Sequence, residues 1–271
     1  MVCPYYNVLS IGQGAFNGCY DVTSVYIPAS VYAIGEQAFG GCPNLSSITV
    51  ATGSYYFSNA GNCLIRRSDN VLVQGCNSSW IPEGVTAIGY GAFRGCNIGS
   101  VSIPEGVTSI GNNAFADCAN LSYIYIPDTV TFIDEGAFYC SGLSSVYIPA
   151  SVQSIGYSAF LFCDNLSYVE FEVGSQLTFL DGNAFAYCVN LTEITIPASL
   201  PAIGDGVFNQ CYNLTTVYVE RASESGSITE LAGDPFYDCT GLSAILVPDA
   251  LSATAYKAAA NWSHYAAIIT Y

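Results

Sequence analysis

The chain has 271 residues, of which 51% are apolar and only 10% charged, and its 21 acidic residues against five basic ones give a formal net charge of −16. Such a negative field repels the phosphates of nucleic acids and the headgroups of anionic lipids, so neither is an expected partner. No stretch approaches the ~20 consecutive apolar residues that a membrane-spanning helix needs, and we expect no direct membrane insertion.

One motif recurs along almost the whole chain, I-G-x-x-A-F-x-x-C-x-x-L-x-x-V-x-I-P-x-x-V. It is already under way at Val8 and Ile11, so we expect the chain to begin inside a repeat, as a piece of a longer polypeptide would. A period of about 23 residues predicts stacked units, because one unit is too small to bury its own apolar face. The motif's phenylalanine marks nine copies, at Phe16, Phe39, Phe93, Phe115, Phe138, Phe160, Phe185, Phe208 and Phe236.

Each repeat predicts one coil of a solenoid. In L-x-x-V-x-I, as at Leu121, Ile124 and Ile126, the alternation of apolar residues indicates a short, half-buried strand. The proline that follows, here Pro127, ends the strand because it offers no N–H to a ladder. The V-x-x-I-G segment predicts a second extended piece, and A-F-x-x-C a single helical turn. The sequence therefore predicts a β-rich right-handed superhelix of about nine coils, with a parallel sheet on one face and short helical turns.

Insertions interrupt the repeats before the chain reaches a different closing segment. Residues 51–79 predict a hairpin-like excursion, in which Leu64 and Ile65 pair with Val71 and Leu72 across a polar turn. Residues 172–178 and 220–230 predict smaller loops, and residues 249–271, which are rich in alanine and then in bulky side chains, predict a C-terminal cap. We interpret residues 1–271 as one domain.

Two repeats identify a resemblance: IPEGVTAIGYGAFRGC at 81–96 and IPEGVTSIGNNAFADC at 103–118 resemble the BspA-like leucine-rich repeat family. The ending VPDALSATAYKAAANWSHY at 247–265 is similar to the closing segment of such proteins in host-associated bacteria, and the resemblance covers nearly the whole chain. It implies a leucine-rich-repeat solenoid that is secreted or placed at the cell surface and adheres to host or matrix proteins. It implies no set of binding residues. The departures are modest: Asp134 and Asp181 replace the repeat glycine, and Val207 replaces the alanine.

The cysteines indicate buried free thiols. Stacked coils hold equivalent residues roughly 5 Å apart with parallel Cβ vectors, which does not suit a disulfide. We assign nine of the twelve cysteines to the repeat position, namely Cys19, Cys42, Cys96, Cys118, Cys140, Cys163, Cys188, Cys211 and Cys239. Cys63 and Cys76 differ because they lie equally far from the turn of the predicted hairpin. For this pair a disulfide and two free thiols both remain open.

Nothing in the sequence predicts catalysis or a cofactor. The chain has one histidine, His264, and lacks a C-x-x-C pair, an H-E-x-x-H motif, an EF-hand loop, a G-x-S-x-G elbow and a glycine-rich phosphate loop. We expect no metal, no cofactor and no enzymatic activity.

Asparagines precede the repeat leucine in five coils. We expect each to satisfy a turn through local side-chain hydrogen bonds. They also create N-x-S/T sequons, at Asn44, Asn120, Asn165, Asn190 and Asn213. Such sequons matter only in a eukaryotic secretory pathway.

The outward-facing strand residues predict a ligand-binding surface. Its predicted members, all on the sheet face, are Tyr26, Trp80, Tyr123, Tyr125, Tyr147, Tyr168, Glu170, Glu193 and Tyr218. Tyrosine provides a large contact area at a low entropic cost, which favours binding of an extracellular or host protein. Carbohydrate recognition by stacked rings is one alternative, and a rigid spacer without a ligand is another. Tyrosines that only stabilise neighbouring strands would give the same pattern.

Overall fold

A computed structural model of the chain describes residues 7–223 and 227–271. The chain start at Met1, with Cys3, and the centre of the 220–230 insertion lie outside the described residues. Each coil contributes one strand of two residues and one of three or four, and the C-terminal segment contributes helix α1 (Ala250–Ala258) and a short 3-10 helix, Trp262–Tyr265. In chain order the strands are β1 (Ser10–Ile11), β2 (Ser24–Ile27), β3 (Ala33–Ile34), β4 (Ser47–Val50), β5 (Phe57–Ala60), β6 (Cys63–Arg66), β7 (Val71–Gln74), β8 (Ala87–Ile88), β9 (Ser100–Ser102), β10 (Ser109–Ile110), β11 (Tyr123–Tyr125), β12 (Phe132–Ile133), β13 (Ser145–Ile148), β14 (Ser154–Ile155), β15 (Tyr168–Phe171), β16 (Phe179–Leu180), β17 (Glu193–Ile196), β18 (Ala202–Ile203), β19 (Thr216–Val219), β20 (Glu230–Leu231), β21 (Ala244–Leu246) and β22 (Ile269–Thr270).

Equivalent strands of successive coils pair in parallel, which confirms a β-solenoid. The short strands β8, β10, β12, β14 and β16 form one sheet with β5–β7, in which Ile110 aligns with Ile88 and Ile133. The longer strands form four separate ladders instead of one continuous sheet: β2–β4, β9–β11, β13–β15 and β17–β19–β21–β22. Two interruptions coincide with changes in the repeat length, since the shortened coil at Cys140 lies between β11 and β13, and the insertion 172–178 follows β15.

The phenylalanines form the centre of the core. From Phe93 to Phe208 every repeat phenylalanine is at most 1% exposed. Neighbouring rings are nearly parallel, with centroids 5.1 Å apart for Phe93 and Phe115 and 4.9 Å apart for Phe160 and Phe185. From the third repeat onward, valine, isoleucine and leucine side chains surround this column in one large apolar cluster, and the first two repeats have a smaller cluster of their own. The predicted stacking of equivalent apolar side chains is therefore confirmed.

The A-F-x-x-C segments are consecutive tight turns and not helical turns. Within the fourth repeat, the amide of Ala114 donates to the Gly111 carbonyl and the amide of Ala116 donates to the Asn113 carbonyl, both over three residues. Asn113 and Asp117 have positive φ angles, 55° and 60°, which prevent the turns from continuing as a helix. The alternate amides turn toward the next coil, as in the 2.7 Å bond from the Phe115 amide to the Ala137 carbonyl. These turns thus add a further column of backbone hydrogen bonds.

The insertion at 51–79 becomes part of the stack. Its strands β5, β6 and β7 form an antiparallel meander, and the predicted pairing is confirmed where Ile65 faces Leu72. Strand β7 then pairs in parallel with β8, and the Gly75 amide donates to the Ala92 carbonyl at 2.7 Å, as repeat residues do elsewhere. With this rung and the final rung at β22, the solenoid has about 11 turns, slightly more than the nine predicted.

The suggested disulfide between Cys63 and Cys76 is wrong. Arg66 faces Val71 and Ile65 faces Leu72, so the turn is centred one residue too early for Cys63 to face Cys76, and the β-bulge between Leu64 and Ile65, after which Leu64 faces Gln74, only partly corrects this register. Cys63 packs in the large apolar cluster of the later coils, whereas Cys76 packs in the smaller cluster of the first coils. Every cysteine of the described residues is a free thiol.

The periodic cysteines donate to the preceding coil. The Cys118 thiol lies 3.0 Å from the Phe93 carbonyl, and the Cys188 thiol lies 3.3 Å from the Phe160 carbonyl. Burial raises the pKa of Cys118 to about 12. Cys140 is an exception, because its coil is one residue short and Ser141 fills the buried position three residues after the phenylalanine. Eight cysteines, not nine, therefore occupy the repeat position.

Three of the five repeat asparagines, Asn44, Asn120 and Asn190, bond to the preceding coil, which corrects the expectation of local bonds for these three. The Asn44 amide donates to the Tyr20 carbonyl, and the Asn190 amide donates to the Asp164 carbonyl, both at 2.7 Å. Their partners lie one coil earlier, so the asparagine column ties neighbouring coils together.

The C-terminal segment covers the last phenylalanine. Helix α1 begins after Asp249, whose carboxylate accepts the Ser252 amide at 2.7 Å. Trp262 is fully buried, donates its indole N–H to the Thr229 carbonyl at 2.7 Å, and lies 6.4 Å from the ring of Phe236. The interpretation of residues 1–271 as one domain stays a prediction.

Candidate binding face

The longer strands alternate buried and exposed residues, as the sequence predicts. In β11, Ile124 is buried between Tyr123 and Tyr125, which are 55% and 43% exposed. In β13 and β15 the same alternation exposes Tyr147 and Tyr168. We call the predicted set of nine outward residues the tyrosine face: Tyr26, Trp80, Tyr123, Tyr125, Tyr147, Tyr168, Glu170, Glu193 and Tyr218. All nine are exposed to solvent.

Small polar side chains flank most of these rings. Tyr123 and Tyr125 lie opposite Ser100 and Ser102 of the preceding coil. Tyr168 lies opposite Ser145. In the described part of the chain, no two rings of the tyrosine face are within stacking distance of each other, whereas the repeat phenylalanines from Phe93 to Phe236 all stack on their neighbours. The exposed rings therefore leave their faces free instead of covering one another.

Carboxylates make the tyrosine face acidic. The Tyr168 hydroxyl donates to Glu170 Oε2 at 3.3 Å, and the charge of Glu170 raises the pKa of Tyr168. Partial loss of hydration, followed by the carboxylates of Glu172 and Glu170, raises the pKa of Tyr147. The phenol groups thus stay protonated at neutral pH and can donate hydrogen bonds, within a region of negative charge.

The structure gathers some of the predicted residues and separates others. Strands β11, β13 and β15 belong to successive coils and bring together Tyr123, Tyr125, Tyr147, Tyr168 and Glu170. Glu193 follows on β17 and Tyr218 on β19, where Tyr218 aligns with Thr195. Tyr26 lies on β2, on the other side of the 51–79 insertion.

Trp80 is not on a strand, contrary to its predicted place on the sheet face. Its amide donates to the Gly61 carbonyl at 3.0 Å, so the inserted meander holds it in a loop. There it lines a cleft of about 270 Å³ together with Glu83, Ser100 and Ser102. Trp80 is therefore the one member of the tyrosine face that lies in a loop, while the other eight lie on strands.

A second concentration of exposed aromatic residues was not predicted. Tyr32, Tyr55 and Tyr56 lie next to Arg66 and Arg67 at the inserted meander. The sequence held one sign of this site: Arg66 and Arg67 are adjacent in a chain that has only five basic residues. The sequence does not reveal that Tyr32, in an earlier coil, lies beside the insertion.

Among residues 7–223 and 227–271, no group of three or more His, Cys, Asp or Glu side chains is placed to hold a metal ion. In the same ranges, no helix has the length and apolar character needed to span a bilayer.

Parallel ladders, a phenylalanine column and coils of about 23 residues define a leucine-rich-repeat solenoid. Residues 4–65, 73–189 and 169–268 match the model of the BspA type leucine rich repeat region in six copies. The chain therefore belongs to the BspA-type leucine-rich repeat family. No curated protein matches the chain in sequence.

Solved structures of bacterial proteins have the same fold. A leucine-rich repeat protein from Bacteroides ovatus is 30% identical, with a TM-score of 0.64, over 90% of this chain and 60% of the other. A leucine-rich repeat protein from Eubacterium ventriosum is 21% identical, with a TM-score of 0.61, over 85% of this chain and 56% of the other. This chain thus spans less than two thirds of the length of either relative.

Proposed function

We propose that the chain is a non-catalytic binding module, displayed at a cell surface, that recognises an extracellular or host protein through its tyrosine face. The observation that supports the proposal is the group Tyr123, Tyr125 and Tyr147, each at least 42% exposed, in successive coils. Tyrosines that served only to stabilise the strands would be expected to stack, and these do not. The resemblance to surface proteins of host-associated bacteria agrees with this role.

The chemistry of the face selects its partner. Glu170 and Glu193 lie among the rings, and the chain as a whole has a charge of −16. A protein whose contact region contains lysine or arginine would associate faster and more tightly than an acidic one. Arginine and lysine can also lie over the free tyrosine rings. Binding should therefore weaken as the salt concentration rises, since exposed charges are screened.

The test uses immobilised extracellular matrix and serum proteins. We expect the triple variant Tyr123→Ser, Tyr125→Ser and Tyr147→Ser to bind its target at least about tenfold more weakly, with an unchanged circular dichroism spectrum. A matched triple variant replaces exposed tyrosines elsewhere, Tyr20, Tyr157 and Tyr237, with serine. Undiminished binding by the first variant would remove the site assignment. If no protein binds to the unmodified chain either, a rigid spacer in a larger surface protein becomes the better account.

Carbohydrate recognition is the second candidate because of the position of Trp80. Its ring is 65% exposed, and it lines a cleft that also contains Glu83, Ser100 and Ser102. An exposed ring can stack on a sugar while a carboxylate accepts hydrogen bonds from its hydroxyl groups. A glycan array separates the two candidates: a blank array together with positive protein binding rejects this one.

A further inference from the structure

An aromatic cleft beside the inserted meander has the composition of a small-molecule site. It has a volume of about 590 Å³, which is within the ~300–1,000 Å³ range of ligand pockets. Three segments that are distant in sequence form it: Tyr32 from the turn before β3, residues 54–57 at the start of β5, and residues 66–68 at the turn after β6. None of its residues belongs to the tyrosine face.

The three tyrosines of the cleft meet edge to face. The rings of Tyr55 and Tyr56 have centroids 5.1 Å apart at 82°, and those of Tyr32 and Tyr56 are 6.2 Å apart at 63°. In this arrangement the flat faces stand at steep angles to one another, so the rings form walls instead of a closed stack. Tyr55 is 80% exposed, and its ring is free to lie against a ligand.

The cleft also contains an arginine with free donors. The Arg67 amide donates to the Tyr56 carbonyl at 2.9 Å, and its Nε donates to the Phe57 carbonyl at 3.0 Å. These bonds fix the guanidinium, while its two Nη groups have no protein acceptor in the described ranges. Arg66 is already paired with Asp69, through Nη2 at 2.8 Å. The Arg66 hydrogen bond lowers the pKa of the Asp69 carboxyl group, so that pair is neutral overall. One positive charge remains for a ligand.

The combination of basic side chains with aromatic rings is unusual in the molecule. Of the other three basic residues, Arg94 is paired with Asp117 at 3.0 Å, and Arg221 donates to the Leu200 carbonyl at 3.1 Å. Lys257 is exposed on helix α1. The cleft is therefore the one place, among the described residues, where two basic side chains line the same cavity with aromatic rings.

We propose that this cleft binds an acidic sugar, a pyranose unit with a single carboxylate. The flat sides of the cleft's tyrosine rings suit the C–H surface of a sugar ring. The two free Nη groups of Arg67 suit one carboxylate, which a guanidinium group binds through paired hydrogen bonds. A bare phosphate would leave most of the cleft empty. An acidic peptide or a sulfated polysaccharide brings several negative charges to a chain with a charge of −16, so repulsion favours the ligand with a single charge.

The experiment is a calorimetric or NMR titration of the full chain with three acidic sugars, glucuronic acid, galacturonic acid and N-acetylneuraminic acid. Glucose and galactose serve as the neutral control sugars. We expect at least one acidic sugar to bind at least about tenfold more tightly than both neutral sugars, and inorganic phosphate and tetraglutamate to bind no more tightly than the neutral sugars. Equal binding of acidic and neutral sugars, or no binding of any sugar, would overturn the proposal, as would a preference for tetraglutamate or phosphate.

Variants test the two parts of the site separately. Arg67→Lys keeps the positive charge but loses the planar guanidinium group with its paired N–H donors. Tyr55→Ser removes an exposed ring and leaves both arginines in place. We expect each to weaken binding of the acidic sugar at least about fivefold. Lys257→Gln removes a charge elsewhere and should leave binding unchanged. If both cleft variants bind as the unmodified chain does, the sugar lies elsewhere and the proposal fails. The triple variant of the tyrosine face should bind the sugar normally, which keeps this test independent of the proposed protein-binding function.

Discussion

Replacement of Phe138 by alanine removes the middle of the phenylalanine column. The ring is fully buried, and its centroid lies 5.5 Å from that of Phe115 and 5.0 Å from that of Phe160. Truncation of a buried phenylalanine costs about 3–5 kcal/mol, and the loss of two ring contacts places this site in the upper part of that range. We therefore expect the free energy of unfolding to fall by about 4–5 kcal/mol. In a stacked-repeat protein the change weakens the interfaces with both neighbouring coils.

The same coil offers a matched control. Phe132 on β12 is 46% exposed, so Phe132→Ala should cost about 1 kcal/mol. Urea unfolding monitored by circular dichroism, in the presence of a reductant that keeps the cysteines as thiols, measures both values. If the two variants lose the same free energy of unfolding, the stability of the chain does not depend on the phenylalanine column.

Two further predictions concern the insertion and the thiols. Gly75→Ala places a Cβ atom 2.0 Å from the ring of Phe93, so we expect the free energy of unfolding in urea to fall by about 1–3 kcal/mol. Gly99→Ala is the control, because nothing lies within 4 Å of its added Cβ atom, and it should change that free energy by less than about 0.5 kcal/mol. Equal effects of the two variants would show that the insertion does not pack in the stack. Burial raises the pKa of Cys118 and of Cys163 to about 12, while unfolded thiols ionise near pH ~8.5. The protonated, buried thiols therefore contribute their full stabilisation of the fold below about pH 8, and this contribution is lost as the pH rises toward 12. The free energy of unfolding measured against pH should show this fall, with a smaller slope for Cys163→Ala than for the unmodified chain. The same slope for both proteins would argue against the effect.

Side-chain periodicity predicted the core because a solenoid repeats one environment. The positions of Phe115, Phe138 and Phe160 in the sequence were sufficient to place them in one column, and alternation in β11 was sufficient to expose Tyr123 and Tyr125. These predictions depend only on the local period and on burial, both of which the sequence contains.

Predictions failed where a one-residue change altered the geometry. The turn that pairs Arg66 with Val71 is centred one residue too early to place Cys63 opposite Cys76, and a shortened coil moves Cys140 out of the buried position that Ser141 fills. Positive φ angles at residues such as Asn113 replace the predicted helical turns with tight turns. None of these events changes the hydrophobic pattern, so pattern analysis could not detect them.

The aromatic cleft was missed for a different reason. Tyr32 belongs to a regular repeat, whereas Tyr55, Tyr56 and Arg67 belong to the insertion. Their contact depends on how the meander of β5, β6 and β7 joins the stack, since β7 pairs with β8 and brings the turn at Arg67 into position. A non-local contact of this kind leaves no periodic signal in the sequence.

We expect the partner protein to contact one surface of the solenoid, the tyrosine face. Hydroxyl-radical footprinting of the chain, free and bound to the protein captured in the matrix and serum screen, measures the protection of each exposed tyrosine at once. We expect reduced labelling in the complex at Tyr123, Tyr125, Tyr147 and Tyr168, and unchanged labelling at Tyr20, Tyr157 and Tyr237. Protection of the second group, with the first group still fully labelled, would show that the partner binds elsewhere.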